Sequence, residues 1–218
     1  MLGRMARTVT ARRLVVWLHV VSSVGWMSQA FALMALLAAA VSTDGATAVA
    51  FARAADHIDG HVLVHFANAS AFTGLVLAAA TPWGLVRHWW VSVKFVATFV
   101  QLYLGIFVLH GVLHDLAAAP DRGRAVAMVA VAGLMGGALA AQAWVSVAKP
   151  WGKTPLARGR GATGPVWLFA LGVAAPVVDT AAGLALGHPL PVTSLAVLAF
   201  LAARRGRLTV TAQRVDGT

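Results

Sequence analysis

His19 and Lys94 have the side chains best suited to chemistry in this sequence, because each stands inside a long apolar run. His19 lies in "LVVWLHVVSSVGWMSQAF", Leu14 to Phe31; Lys94 lies in the run that begins at Trp89. An ionisable group in lipid is costly and marks a functional site by default. At spacings of three and four, His19 shares one helical face with Ser22, Ser23, Trp26, Gln29 and Ala30. Lys94 heads a similar stripe of Thr98, Gln101 and Gly105. Both residues stand five positions into their runs. At 1.5 Å per residue they lie about 7–8 Å below the same membrane edge if the two helices run parallel. Such stripes face a bundle interior. They predict a polar or cofactor-bearing cavity that opens at that edge. Each residue also has a bland explanation: the histidine can hydrogen-bond a neighbouring helix, and the lysine can snorkel to the interface.

A second set of candidates sits near the opposite edge. "HIDGHVLVH" places His57, His61 and His65 together, with His61 and His65 on one face alongside Asn68. "VLHGVLHD" places His110 and His114 at i and i+4. This spacing suits two ligands of one metal ion. By the 100° turn per residue, His110 and His114 point away from the face that carries Lys94. Met27/Met34 and Met128/Met135 recur at seven residues. Their thioethers suit Cu(I), and the same spacing suits plain helix packing. Asp179 interrupts the fifth apolar segment and marks either a break in the span or a proton site.

The remaining chemistry is narrow. The chain has no cysteine and no glutamate, and only seven aspartates. Thiolate nucleophiles, thiolate metal sites and disulfides are thereby excluded. No P-loop, dinucleotide fingerprint, nucleophile elbow or zinc-protease motif is present.

The elements that position these residues follow from composition. Of 218 residues, 60% are hydrophobic and 11% charged, too few charges to cover a soluble globule. We expect an all-α, polytopic transmembrane helical bundle with a four-helix core in residues 1–163. About 20 apolar residues cross a bilayer as a helix. The expected core spans are 14–41, 62–82, 89–113 and 125–148. Two C-terminal membrane segments follow at about 164–187 and 190–203, with a basic tail to residue 218; a re-entrant hairpin is the other reading of 164–203. The first run is too long for a signal peptide. The loop Ser42–Gly60 is helix-prone and is expected to lie on the outer surface. Trp83, Trp89, Trp90 and Trp151 form an aromatic belt around a repeated "PWG".

Charge placement predicts a multi-pass protein of the cell membrane with both termini in the cytoplasm. Arg4, Arg7, Arg12, Arg13, Arg87, Lys149, Lys153, Arg158, Arg160, Arg204, Arg205, Arg207 and Arg214 then lie inside. Arg53, Arg122 and Arg124 lie outside, with Asp44, Asp56, Asp59, Asp115 and Asp121. The net charge of +10 is explained by this bias, and no nucleic-acid partner is expected. Small-xxx-small pairs, Gly133/Gly137 and Gly183/Gly187, allow close helix contacts or a homo-oligomer.

"LHVVSSVGWM", Leu18 to Met27, resembles the first helix of the CopD-like membrane protein superfamily. "WVSVKF", Trp90 to Phe95, resembles the W-x-x-x-K segment of the haem-containing bacterial membrane protoporphyrinogen oxidases in that group. The likeness covers about 20 residues within 12–148, and the chain as a whole resembles uncharacterised actinobacterial integral membrane proteins. The resemblance implies haem b bound through His19 and Lys94. It implies a membrane oxidoreductase that exchanges electrons with a quinone or oxidises a tetrapyrrole. Ser22, Ser23, Trp26, Gln29 and Gln101 would then contact the cofactor or substrate. Two other expectations stand beside it. Copper handling would draw on His61, His65, His110, His114 and the methionine pairs. A non-catalytic membrane subunit would use the glycine faces and the basic ends.

Overall fold

The computed structural model describes residues 2–119, 121–157 and 163–201, with side chains from residue 7 onward. Helix α1 runs Leu2–Val41. Helices α2, α3, α4 and α5 run Gly45–Ala80, Trp89–Ala118, Arg122–Ala148 and Val166–Leu186. A shorter helix, α6, covers Val192–Leu201. The chain is an all-α, polytopic bundle, and α1 to α5 are each long and apolar enough to cross a membrane. No β-strand occurs among the described residues.

The helices stop where the sequence withdraws backbone donors or admits unusual dihedrals. Lys149 adopts the left-handed conformation (φ 46°) at the end of α4, just before Pro150. Gly187, at φ 74°, closes α5, a conformation that costs glycine little. The Asp121 side chain caps α4 by accepting from the Arg124 backbone N–H at 2.7 Å. Helix α2 contains a π-turn at Asp59–Leu63, and α3 contains one at Gly105–Leu109.

The helices outrun the apolar stretches expected for them. Apolar length reports how much helix lies in lipid, whereas Ala- and Arg-rich flanks extend a helix into water without raising hydropathy. The largest correction concerns Ser42–Gly60. This segment is not a surface-lying loop: most of it is the first half of α2. Its Ala48, Ala52 and Ala55 are buried against α1 and α3. At the other end, α6 is helical as expected, but its ten described residues rise only about 15 Å, about half a bilayer core. The basic positions Arg158, Arg160, Arg204, Arg205, Arg207 and Arg214, the Arg4 side chain and the end of the last segment lie outside the described residues.

Helix α1 is the hub, packing along its length on α2, α4 and α5. One core joins Val15, Phe72, Val76 and Phe169 across α1, α2 and α5. A second joins Leu33, Leu37, Leu113, Leu116 and Met128 at the far end. Helix α3 differs from the others. Its last turns pack against the first half of α2, but elsewhere it approaches α2 and α4 at few points. Its start is fastened by loops: Trp89 N donates to Gly152 O and Thr154 N to Arg87 O. The two "PWG" segments therefore meet, and Lys149 Nζ lies 4.9 Å over the Trp83 ring. Trp83, Trp89 and Trp151 are each about half exposed there, as an interfacial belt requires.

Close packing at Gly172 locks α5 onto the hub. A Cβ there would meet Val76 Cγ1 at 2.9 Å and Val15 Cγ2 at 3.2 Å. Gly172→Leu should therefore destabilise the detergent-solubilised protein by about 1–3 kcal/mol through overpacking, read as a lowered melting temperature. An unchanged melting temperature would refute this packing.

Candidate intramembrane site

His19 projects from α1 onto α2. Its Nδ1 lies 3.0 Å from Ser70 O and 3.1 Å from Thr73 Oγ1. A carbonyl only accepts, so Nδ1 carries the proton and donates to Ser70 O. The Thr73 hydroxyl donates to Ala69 O at 2.6 Å, which leaves its oxygen to accept from the same Nδ1–H. The tautomer is thereby fixed, and Nε2 keeps its lone pair with no hydrogen bond to the described residues. Gly74 makes room for the ring: a Cβ there would lie 3.1 Å from His19 Cε1. Ser23 Oγ and Ser70 Oγ, 2.7 Å apart, extend the contact. Ser22 is buried but bonds within its own helix, to Leu18 O at 2.7 Å.

Lys94 lies in a second seam. It projects from α3 toward α4, where Nζ donates to Ser146 Oγ. A ladder continues from it. Thr98 Oγ1 donates to Gln142 Oε1 at 3.1 Å, Gln142 Nε2 donates to Gln101 Oε1, and Gln101 Nε2 donates to Met135 O at 3.2 Å. Two antiparallel helices thus match polar residues at helical spacing. The stripe on α3 is legible in the sequence; its partners Gln142 and Ser146, at i and i+4 on α4, are not singled out there. Nor are Ser70 and Thr73, the partners of His19. His19 and Lys94 project into different seams, α1–α2 and α3–α4. Gln29 makes no hydrogen bond among the described residues.

The cavity is not where the stripes predict it. It has a volume of about 210 Å³ and lies farther along the bundle, between α3 and the other core helices. Trp26, Ala30, Gln101 and Gly105, from the far ends of the two stripes, line it, but His19, Lys94, Ser22, Ser23 and Gln29 do not. The stripes are closed at their His19 and Lys94 ends because their polar groups satisfy one another across the seams. The space opens instead where Gly60, Ala67, Gly105 and Ala132 replace large side chains. Both π-turns flank it, and such turns recur at functional sites.

The outer histidines go to separate partners. His110 Nδ1 lies 2.8 Å from Asp59 Oδ2, and His114 Nδ1 lies 3.4 Å from Asp56 Oδ2. These two pairs tie the end of α3 to α2. His57 and His61 stack at 4.3 Å. His65 packs on Gly183 of α5. Among the described residues, no three histidine or aspartate side chains are arranged to hold a metal ion. Asp179 joins two helices, because its carboxylate accepts from Thr193 N and Ser194 N, both at 2.8 Å. It caps α6 from α5, as helix N-termini favour. Of the glycine pairs, Gly133 packs on Met34 of α1, while Gly137 faces open space.

No family model, curated protein or solved structure matches this chain.

The ladder generates a direct comparison. Gln142→Leu leaves Thr98 Oγ1 and Gln101 Oε1 without partners, and should cost about 1 kcal/mol in detergent unfolding. Gln29→Leu, which breaks no such bond, should be neutral. Equal effects would refute the ladder.

Proposed function

We propose that the protein is a haem b-binding membrane redox protein in which His19 holds the iron. The observation that supports this most is the fixed tautomer of His19. Metal-bound histidines commonly donate their second ring nitrogen to a carbonyl, which orients the ring and raises its basicity. Here Ser70 O and Thr73 Oγ1 take Nδ1–H, and Nε2 is left to bind. The likeness of Leu18–Met27 and Trp90–Phe95 to the CopD-like superfamily supports the same assignment.

The donor set fits the group: an imidazole whose second nitrogen is free of hydrogen bonds to the described residues, and an ammonium on a neighbouring helix. Lys94, which donates to Ser146 Oγ here, would help to hold the group, either through its amine or through its charge. Haem would supply one-electron transfer. The chain's own part is to orient the imidazole through Ser70 and Thr73, and to place a cation beside it. The α3–α4 ladder fixes that cation. Copper handling gains no support from the outer histidines, whose partners are aspartates and backbone. We further propose that the His19 and Lys94 ends of α1 and α3 face the cytoplasm, on the positive-inside bias of Arg7, Arg12, Arg13, Arg87, Lys149 and Lys153.

Two measurements test this. Protein made under haem-replete conditions should show a reduced-minus-oxidised b-type spectrum. His19→Ala should abolish the signal, and Lys94→Ala should lose it or change its spin state. No signal in the wild type, or an unaltered one in both variants, overturns the assignment. Because the chain lacks cysteine, single-cysteine reporters give the orientation. Asp44→Cys should react with an impermeant maleimide on intact cells, and Lys153→Cys only after permeabilisation; the reverse pattern would invert the topology.

A further inference from the structure

We infer that the α1–α4 cavity is a binding site for a lipid-soluble quinone, whose ring carbonyl is held by Trp26 and Asn68. This deepens the redox reading by naming the class of electron partner. It rests on that reading for the quinone's role, but not for its binding.

Two polar groups at the cavity ought to be satisfied and are not. Trp26 is 6% exposed, and Asn68 stands in the membrane-length helix α2. Both line the cavity, and Asn68 also borders a small pocket beside Asp179. Neither the Trp26 indole N–H nor the Asn68 amide has a hydrogen-bond partner among the described residues. Most other polar side chains in the bundle find one, as His19, Ser23, Thr98, Gln101, Gln142 and Asp179 do; Gln29, which does not line the cavity, is an exception. A donor that reaches an apolar cavity and finds no partner there costs about 1–3 kcal/mol. Two such donors beside one apolar cavity mark a place for an acceptor that arrives with a ligand.

The walls describe the rest of that ligand. They are mainly Leu33, Leu63, Leu109 and Met128, which suits an apolar, membrane-partitioning molecule. The far end is closed by Asp59 and His110, whose side chains already pair at 2.8 Å. That pair lies about 13 Å along α2 from Asn68, nine residues at 1.5 Å each. The polar groups that lack a partner therefore lie at one end of the cavity, at Trp26 and Asn68. A flat ring carrying a carbonyl acceptor and a long apolar tail has this distribution. The sparse contacts of α3 with α2 and α4 leave a seam through which a tail reaches lipid. Trp26 is seven residues from His19 on the same helical face, about 10 Å along α1, so a ring held there is adjacent to the proposed iron ligand.

The test is direct binding to the purified full chain in nanodiscs, followed by calorimetry. The probes are decylubiquinone and decylbenzene, which has a ten-carbon tail but no carbonyl. The wild type should bind decylubiquinone saturably at one site, at least about tenfold tighter than decylbenzene, the worth of one good hydrogen bond. Trp26→Phe and Asn68→Leu should each weaken decylubiquinone about tenfold and leave decylbenzene unchanged. The melting temperature of each variant shows that it is folded. Equal wild-type affinity for the two probes would mean that the cavity takes any acyl chain, and would overturn the proposal without use of a variant. So would full decylubiquinone affinity in both folded variants. The titration is run on haem-free protein as well as haem-replete protein. A missing haem spectrum therefore sinks the iron assignment alone, and missing quinone binding sinks this inference alone.

Discussion

A polar side chain carried into this bundle costs free energy unless another group satisfies it. Inside the hydrocarbon region there is no water to accept what the protein leaves unpaired. The architecture follows from how that requirement is met. His19 bonds α1 to α2. Lys94, Thr98 and Gln101 bond α3 to α4. Asp179 bonds α5 to α6. Each of these seams thus carries a small number of directional contacts. Dispersion packing alone holds apolar helices together in lipid but distinguishes rotations of a helix poorly. A single cross-helix hydrogen bond contributes only about 0.6–2 kcal/mol, yet it specifies which face turns inward. The hydrogen bonds therefore set register, while Gly172, Gly25 and Gly136 allow the close approach that gives the packing energy.

This division explains what can be read directly from residues. The presence of the helices and the inward stripes on α1 and α3 are legible, because apolar length and three-four spacing are one-dimensional patterns. The partners are not. Ser70, Thr73, Gln142 and Ser146 look like ordinary small or amide residues until the rotation of α2 and α4 is known. For the same reason the cavity lies elsewhere than the stripes suggest. A polar stripe signals an inward face, but whether that face encloses space depends on what meets it. At His19 and Lys94 it meets acceptors. At Gly60, Ala67, Gly105 and Ala132 it meets nothing large enough to fill the gap.

The outer end shows a second limit of pattern reading. Histidines at i and i+4 are equally suited to sharing one metal and to reaching two residues on an adjacent helix. His110 and His114 do the latter, because Asp56 and Asp59 stand at matching spacing on α2. The aspartates carry the deciding information, and they lie in a segment whose polarity suggests a surface loop. Their helix is instead continuous with the membrane span through a π-turn, which re-aims the residues beyond it.

The two π-turns link fold to function. An α-helix held to 3.6 residues per turn along its whole length cannot present one face to the Gln142 ladder and also keep His110 opposite Asp59 unless its register is adjusted in between. The π-turn at Gly105–Leu109 makes that adjustment in α3, and the one at Asp59–Leu63 does so in α2. Each widening costs backbone hydrogen-bond geometry and opens space. Both lie against the same cavity, so the distortion needed to satisfy polar groups at the two ends of α3 is concentrated in its middle. There Ile106, Phe107 and Val108 are exposed and the helix has few neighbours. In a bundle whose other polar seams are closed, that is where a molecule dissolved in the bilayer can enter without unpairing anything.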